Sequence, residues 1–358
     1  MKRTQILLIV ILLLATLFLA TQVSHLEDFA RVLATGHPLW IGLGVLLVLA
    51  WQVAQAAQFR AAHRAVGVQQ SLLSMLPVVA ANNFVLIALP SANLSTFALF
   101  LANARRHGAP PERTAVAVAV FAVFQYLGLT ASIALALLAL ATHGVLSPLE
   151  WLPAVPLFAL GLGQYVVLLL AMRSPARLER AALWLAERLN RLSRRLLRRE
   201  LVAMARVHQA CHNAAGGLDS MRQNGPRAQL ILFTYGLLSQ ALLGIVLAVL
   251  LRAFGQHAYP ATVLAGLGMA GLYTVVSPTP LGLGVVEGGV AIVLASLGLN
   301  AGAALIVSLA FRGLTLWLPV LYGFVALQAL GFRAIRPIEA QTDEGPRRGT
   351  LDEGNRGT

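Results

Sequence analysis

The fold this sequence predicts is all-α: a polytopic transmembrane helix bundle with two inverted re-entrant helical hairpins and a cytoplasmic amphipathic helix. Three observations predict it. Hydrophobic residues make up 58% of the chain, charged residues 11%, and the mean hydropathy is +0.75, against about 45–50% apolar and about 25% charged in a soluble domain. Apolar stretches of spanning length recur, separated by loops that carry arginine. Two further apolar regions are each interrupted midway by proline and polar residues.

A span needs about 17–25 mostly apolar residues, which predicts spans near 5–22, 38–59, 114–141, 149–172, 228–252 and 303–331. Met1-Lys2-Arg3 before the first apolar run resembles a secretory leader. Ala20-Thr21-Gln22 is a poor cleavage site and more spans follow, so 5–22 reads as an uncleaved first helix. The regions 71–104 and 260–298 each read as a pair of short helices that dip in and return.

Charge sets the orientation, because arginine and lysine mark the cytoplasmic loops. Lys2 and Arg3 put the N-terminus inside, and Arg60 and Arg64 put the end of the second span inside. Arg105, Arg106 and Arg113 return the first interrupted region to the same face. The loop 173–227 carries twelve arginines against Glu179, Glu187, Glu200 and Asp219, so it is expected in the cytoplasm. The second interrupted region then opens on the outer face, and the last span returns inward to Arg333 and Arg336. The formal charge of +13 is thus spread along loops beside spans, which argues against a nucleic-acid partner.

This gives a domain over 1–336, with a first repeat at about 38–141, the basic loop 173–227 and a second repeat at about 228–332. A disordered polar tail is expected at 337–358. The two repeats have inverted topology, an arrangement that sets binding sites between broken helices near the bilayer midplane. At an offset of 190, Pro90 aligns with Pro280, Gly108 with Gly298 and Phe121 with Phe311.

The richest segment is 277–289, where Pro278, Pro280, Gly282, Gly284, Glu287, Gly288 and Gly289 sit inside an apolar region. Proline and glycine free backbone groups that lipid cannot satisfy. A carboxylate at membrane depth costs about 2.5–3.5 kcal/mol even on the insertion scale. Glu287 and Arg312 are close enough in sequence to meet. They either gate a pocket and hold an anionic head group, or form a structural ion pair between the hairpin and the last span. A half-helix starting near Gly284 would turn its positive dipole end toward the bilayer centre. Asn93 or Ser95, after Pro90, would cap a matching half-helix in the first repeat.

Asn82 and Asn83 stand among apolar residues, and buried amides need partners. They either line a wet cavity or bond the broken backbone. Gln125 and Tyr126, mid-span, read as helix–helix hydrogen bonding. Leu178, Ala182, Leu185, Leu189, Leu192 and Leu196 alternate in steps of four and three within 176–206. Arg188, Arg191, Arg194, Arg195, Arg198 and Arg199 fill the remainder, which suits a helix lying on an anionic membrane surface. His208 and His212 near Cys211, the single cysteine, read as a solvated loop rather than a metal site. No metal and no cofactor are expected, since no nucleotide-binding or metalloenzyme motif occurs.

The run Pro278, Pro280, Gly282, Gly284, Glu287 and Gly288, followed by Gly298 and Arg312, resembles the signature of the flippase-like membrane family. That family is related to the transmembrane region of lysylphosphatidylglycerol synthases and includes bacterial and archaeal proteins of lipid or lipid-linked glycan pathways. The likeness extends over 5–332 in layout, with its specific motif in 277–312. It implies movement of an amphiphilic lipid or lipid-linked precursor across a bacterial cytoplasmic (inner) membrane, with both termini cytoplasmic. The chain departs from relatives where Ser91-Ala92-Asn93-Leu94-Ser95-Thr96 and Phe124-Gln125-Tyr126 stand in place of charged residues. A neutral, sterol-like or polyprenyl substrate is thereby left open beside an anionic lipid. No soluble domain follows the last span, so lysyl transfer is not expected.

The resulting expectation is a lipid transporter, not an enzyme, working through a midplane groove. Its substrate-binding or gating set is Glu287, Arg312, Asn82, Asn83, Pro90, Asn93, Pro278, Pro280, Gly282, Gly284 and Gly288. Membrane lipids are the expected partners. A lipid-modifying enzyme and a second copy of the chain stay open as further partners. The alternative is a non-catalytic scaffold that recruits a lipid- or glycan-modifying enzyme through the basic helix. An intramembrane transferase using Glu287 as base is weaker, because no nucleophile or metal set accompanies it.

Overall fold

The computed structural model describes residues 29–330 apart from 89–91, 107, 175, 177–178, 181, 185, 189, 192–203 and 280–281. The expected first span at 5–22 and the tail 337–358 lie outside the described residues. The elements are helices: α1 (Pro38–Ala65), α2 (Leu72–Ala88), α3 (Ala92–Arg106), α4 (Pro111–Thr142), α5 (Pro148–Arg173) and α6 (Met204–Gln223). They continue with α7 (Gly225–Ala253), α8 (Pro260–Val276), α9 (Val285–Ser296), α10 (Ala301–Arg312), a π-helical turn (Gly313–Trp317) and α11 (Leu318–Leu330).

The sequence starts these helices in a legible way. Pro38, Pro111, Pro148 and Pro260 each open one, at the position where no N–H is needed and the fixed φ already suits the helix. Ser147 and Glu150 form a capping box at α5, the Glu150 carboxylate accepting from the Ser147 N–H at 2.8 Å and from its hydroxyl. Among the described residues five helices are long and apolar enough to cross a membrane: α1, α4, α5, α7 and the continuous run Ala301–Leu330. The two interrupted regions resolve into the pairs α2/α3 and α8/α9. With 12 residues, α9 is about 18 Å long, well short of a hydrocarbon core of about 30 Å.

Antiparallel α1 and α7 form the central pair. The His37 N–H donates to Ala253 O at 2.9 Å at one end, and Asn224 Nδ2 donates to Ala65 O at 3.0 Å at the other. Around this pair the halves exchange partners: α2 packs on α11, and α8 packs on α4. Small residues allow both contacts. A Cβ on Gly268 would lie 2.5 Å from Ser132 O, and one on Gly323 would lie 2.5 Å from Ala80 O. Further along, a Cβ on Gly271 would meet Leu129 Cδ1 at 2.4 Å, so α8 runs antiparallel to α4 and heads toward its middle.

The hairpins also close alike. Gly108 and Gly298 have φ of 66° and 94°. Ala109 N–H reaches back to Ala104 O at 2.8 Å, and Leu299 N–H to Leu294 O at 3.2 Å, the six-to-one bond of a Schellman cap. The offset of 190 seen in sequence therefore matches a shared backbone device at this pair. Gly67 and Gly255 end α1 and α7 in the same manner.

The core divides accordingly. Phe59, Met75, Val78 and Phe84 pack with Val320 and Leu327 around α2, while Ile133, Leu140, Met269 and Leu272 pack around α8. On α5, Leu149, Leu152, Val155, Leu162 and Val166 are exposed, a surface apolar enough to face hydrocarbon. One expectation is corrected here. The stretch holding His208 and His212 is not a solvated loop but part of α6, a 20-residue helix. It packs against α4, Gly217 approaching Val116, and that contact supplies the burial which a charge-dominated reading of 173–227 overlooked.

Candidate functional site

The turn between α8 and α9 is built by its own residues. Thr279 Oγ1 donates to Leu283 O at 3.0 Å and shares a 2.7 Å hydrogen bond with Ser277 Oγ. Gly282 and Gly284 take φ of 71° and 81°, a left-handed conformation that a side chain would strain. Gly284 caps α9, and Glu287 Oε2 accepts its N–H at 2.7 Å. An N-terminal helix turn is electrostatically favourable for a carboxylate.

The second oxygen of the same carboxylate, Oε1, accepts from Arg312 Nε at 3.2 Å. Both residues are buried, 6% and 7% exposed. Ser308, one turn before Arg312, donates its hydroxyl to Glu287 O at 2.8 Å. Two bonds therefore tie the start of α9 to the end of α10 in one place. A buried ion pair is tolerated only when its remaining groups are satisfied in this way. Immediately after Arg312 the helix widens into the π-helical turn, Leu318 N–H reaching Gly313 O. Such turns cluster at functional sites.

Pro278 and Ser277 line a cavity of 620 Å³ together with Tyr273, Val285, Gly289 and Glu150. Gly288 has open space where a Cβ would stand, so its role is not one of close packing. Pro90 and Pro280 lie outside the described residues. α3 begins at Ala92, which puts Asn93 and Ser95 within its first turn rather than ahead of it; the capping expectation is corrected to that extent.

Asn83 does not bond broken backbone. Its Nδ2 donates to Gln52 Oε1 at 2.9 Å on α1 and lies 3.5 Å from Tyr322 OH on α11; the Tyr322 hydroxyl donates to the same Gln52 oxygen at 3.0 Å. Asn82 is buried beside it, and its Oδ1 has no hydrogen-bond partner. Among the described residues, the amide cluster of Asn83, Gln52 and Tyr322 is distinct from the set of Glu287, Arg312, Gly284 and Ser308. Gln125, expected to bond between helices, keeps its Oε1 buried without a partner. Tyr126 lines an apolar cavity of 770 Å³ between α4, α5 and α6.

The sequence reading missed Gln52, Gln55 and Gln58, all buried on α1. Gln58 Nε2 donates to Leu232 O of α7 at 3.2 Å. Their spacing in steps of three inside an apolar span was the available signal. Tyr322 and Ser308 carried none that a single sequence would reveal.

On the basic surface, Arg188 stacks over the Trp184 ring at 4.3 Å and Arg191 lies 3.9 Å from Glu187, all exposed. Arg194, Arg195, Arg198 and Arg199 lie outside the described residues. His208 pairs with Glu179, and among the described residues no group of three His, Cys, Asp or Glu side chains could hold a metal ion.

Spanning helices, a broken-helix hairpin and a buried ion pair at its tip define a polytopic α-helical membrane protein. The family profile described as the lysylphosphatidylglycerol synthase TM region matches residues 5–323. The chain belongs to that family, and its relatives' name ties it to lipid handling. Comparison with curated protein sequences gives no match.

Proposed function

We propose that this protein moves an amphiphilic lipid or lipid-linked precursor across the bacterial cytoplasmic membrane, with both termini on the cytoplasmic side. In this reading the hairpins α2/α3 and α8/α9 are re-entrant, and the two halves are inverted repeats. The exchanged packing of α2 on α11 and of α8 on α4 supports the inversion. So do the matching caps at Gly108 and Gly298. The antiparallel approach of α8 to the middle of α4 supports re-entry.

The observation that carries the reading is the buried Glu287–Arg312 pair at the start of a 12-residue helix. A short helix that begins inside the apolar layer and holds a charge pair there is the construction by which broken-helix transporters meet polar groups. The pair closes or opens the groove, and the head group passes beside it. No bond-making step is assigned to the chain. The driving force comes from lipid consumption, an ion gradient or a partner.

The test is translocation of fluorescent phospholipid in vesicles containing the purified protein, read by dithionite quenching. Wild-type vesicles are expected to exchange lipid faster than empty ones, with the gain lost in Glu287→Gln and Arg312→Ala. Equal rates in wild-type and both variants would remove the assigned role.

A further inference from the structure

Away from the hairpins, the end of α1 and the start of α7 enclose a cavity of 440 Å³ whose lining includes Arg60, Arg64 and Arg227 and no acidic residue. Arg60 and Arg64 stand four residues apart, one above the other on the same helix face. Arg227, in the first turn of α7, joins them from across the gap. Among the described residues none of these three guanidinium groups forms an ion pair. Three like charges around one cavity repel one another, and an anion relieves that repulsion.

The cavity is held open by construction. Ala57, Ala61 and Ala65 recur every four residues along α1 and line the gap, so small side chains leave the space unfilled. Asn224 fastens the two helices at the mouth, its Nδ2 donating to Ala65 O at 3.0 Å and to Ser220 O at 2.9 Å. The carbonyls that end α1 are already taken: Val66 N–H bonds Ala62 O and His63 O, and Gly67 N–H bonds Arg64 O. Those carbonyls are therefore bonded within the protein, and the positive end of α7 faces the same space.

We infer that Arg60, Arg64 and Arg227 form a binding site for a phosphate group. Guanidinium matches phosphate oxygens in pairs, and basic pockets between transmembrane helices recognise phosphorylated head groups. The alanine stripe and Tyr235, which also lines the cavity, offer apolar and hydroxyl contacts to the glycerol and acyl portions of a lipid. Phosphate is the shared chemistry, whether it comes from an anionic lipid or from solution. The site is independent of the transport reading, since it uses none of the hairpin residues.

Binding of dioctanoyl phosphatidic acid to the purified full-length protein in maltoside micelles tests this, with dioctanoylglycerol as the phosphate-free control. Each Arg→Gln substitution is expected to weaken phosphatidic acid binding about fivefold, and the triple variant about a hundredfold. The triple Arg→Lys variant keeps the charge but not the paired guanidinium geometry, so it is expected to bind more tightly than the triple Gln variant and less tightly than wild type, which shows that loss is not misfolding. Competition by inorganic phosphate assigns the site to a soluble anion, and phosphatidic acid binding without such competition assigns it to a lipid; either result upholds it. Wild-type affinity in the triple Gln variant, or equal affinity for dioctanoylglycerol, overturns it.

Discussion

The Glu287 carboxylate divides its two oxygens between the Gly284 N–H at 2.7 Å and Arg312 Nε at 3.2 Å. One oxygen holds the local turn, and the other holds the last span against it. Losing Arg312 leaves the buried Glu287 carboxylate without its counter-charge, and Glu287→Gln removes the charge that faces Arg312. Glu287→Gln and Arg312→Ala are each expected to destabilise the protein by about 3–5 kcal/mol. The double variant Glu287→Gln/Arg312→Ala is expected to lose less than the sum of the two single losses. Thermal unfolding in detergent measures all three, and additive losses in the double variant would contradict the coupling.

The amide cluster gives a smaller prediction. Tyr322→Phe removes the hydroxyl that donates to Gln52 Oε1 while keeping the ring. Interhelical side-chain hydrogen bonds in membranes contribute about 0.6 kcal/mol, rarely above about 1.7. A modest loss of that size is expected in a reversible unfolding series. Gln52→Leu should make the Tyr322→Phe loss vanish, because both remove the same bond.

Glycines in the hairpin region are expected to differ sharply. Gly268 touches the Ser132 carbonyl, whereas Gly288 has open space around it. Gly268→Val forces α8 off α4, at about 1–3 kcal/mol. Gly288→Ala fits, and lowers the entropy cost of the helix by about 0.5–1 kcal/mol. Melting temperatures of the two variants should move in opposite directions.

Cys211 offers a pH handle on α6. Burial, with the Glu179 carboxylate second, raises its thiol above the ordinary range near 9.0. Folded and unfolded chains both keep the proton below that range, so this group's stabilisation is fully present there. As pH rises, the unfolded thiol ionises first, and stability falls until the folded thiol ionises too. Alkylation by iodoacetamide at pH 9 should therefore be slower in the folded protein than in urea. Glu179→Gln should speed the folded reaction only slightly, because burial is the larger cause.

Much of this architecture was legible because the bilayer imposes strict rules on composition and length. The spans from 38 onward and the split of 71–104 and 260–298 followed from apolar runs and their breaks, and the pairing of Glu287 with Arg312 followed from two charges placed at membrane depth. The offset joining Gly108 to Gly298 proved to mark equivalent caps. What stayed hidden depended on contacts between distant segments. Asn83 finds Gln52 and Tyr322 only once α1, α2 and α11 are packed, and no local pattern announces that meeting. The helix over Met204–Gln223 was masked by its polarity, since one face lies against α4 and the rest carries charge and amide groups. The widened turn at Gly313–Trp317 was signalled only by Gly313 and by Pro319, whose nitrogen cannot donate to the Thr315 carbonyl and whose ring crowds it.

That turn makes the last span two rods joined end to end, each answering to a different hairpin. The upstream rod, α10, grips α9 through Arg312 and Ser308; the downstream rod, α11, cradles α2 through Gly323. A π-helical turn holds one residue more than the α-helix around it, so excising one from 313–317 would close it into α-helix with little rotation of α11, shift Tyr322 along its axis relative to Gln52, and leave the grip on Glu287 untouched. Five residues thus serve as the only covalent coupling between the seats of the two hairpins within this span.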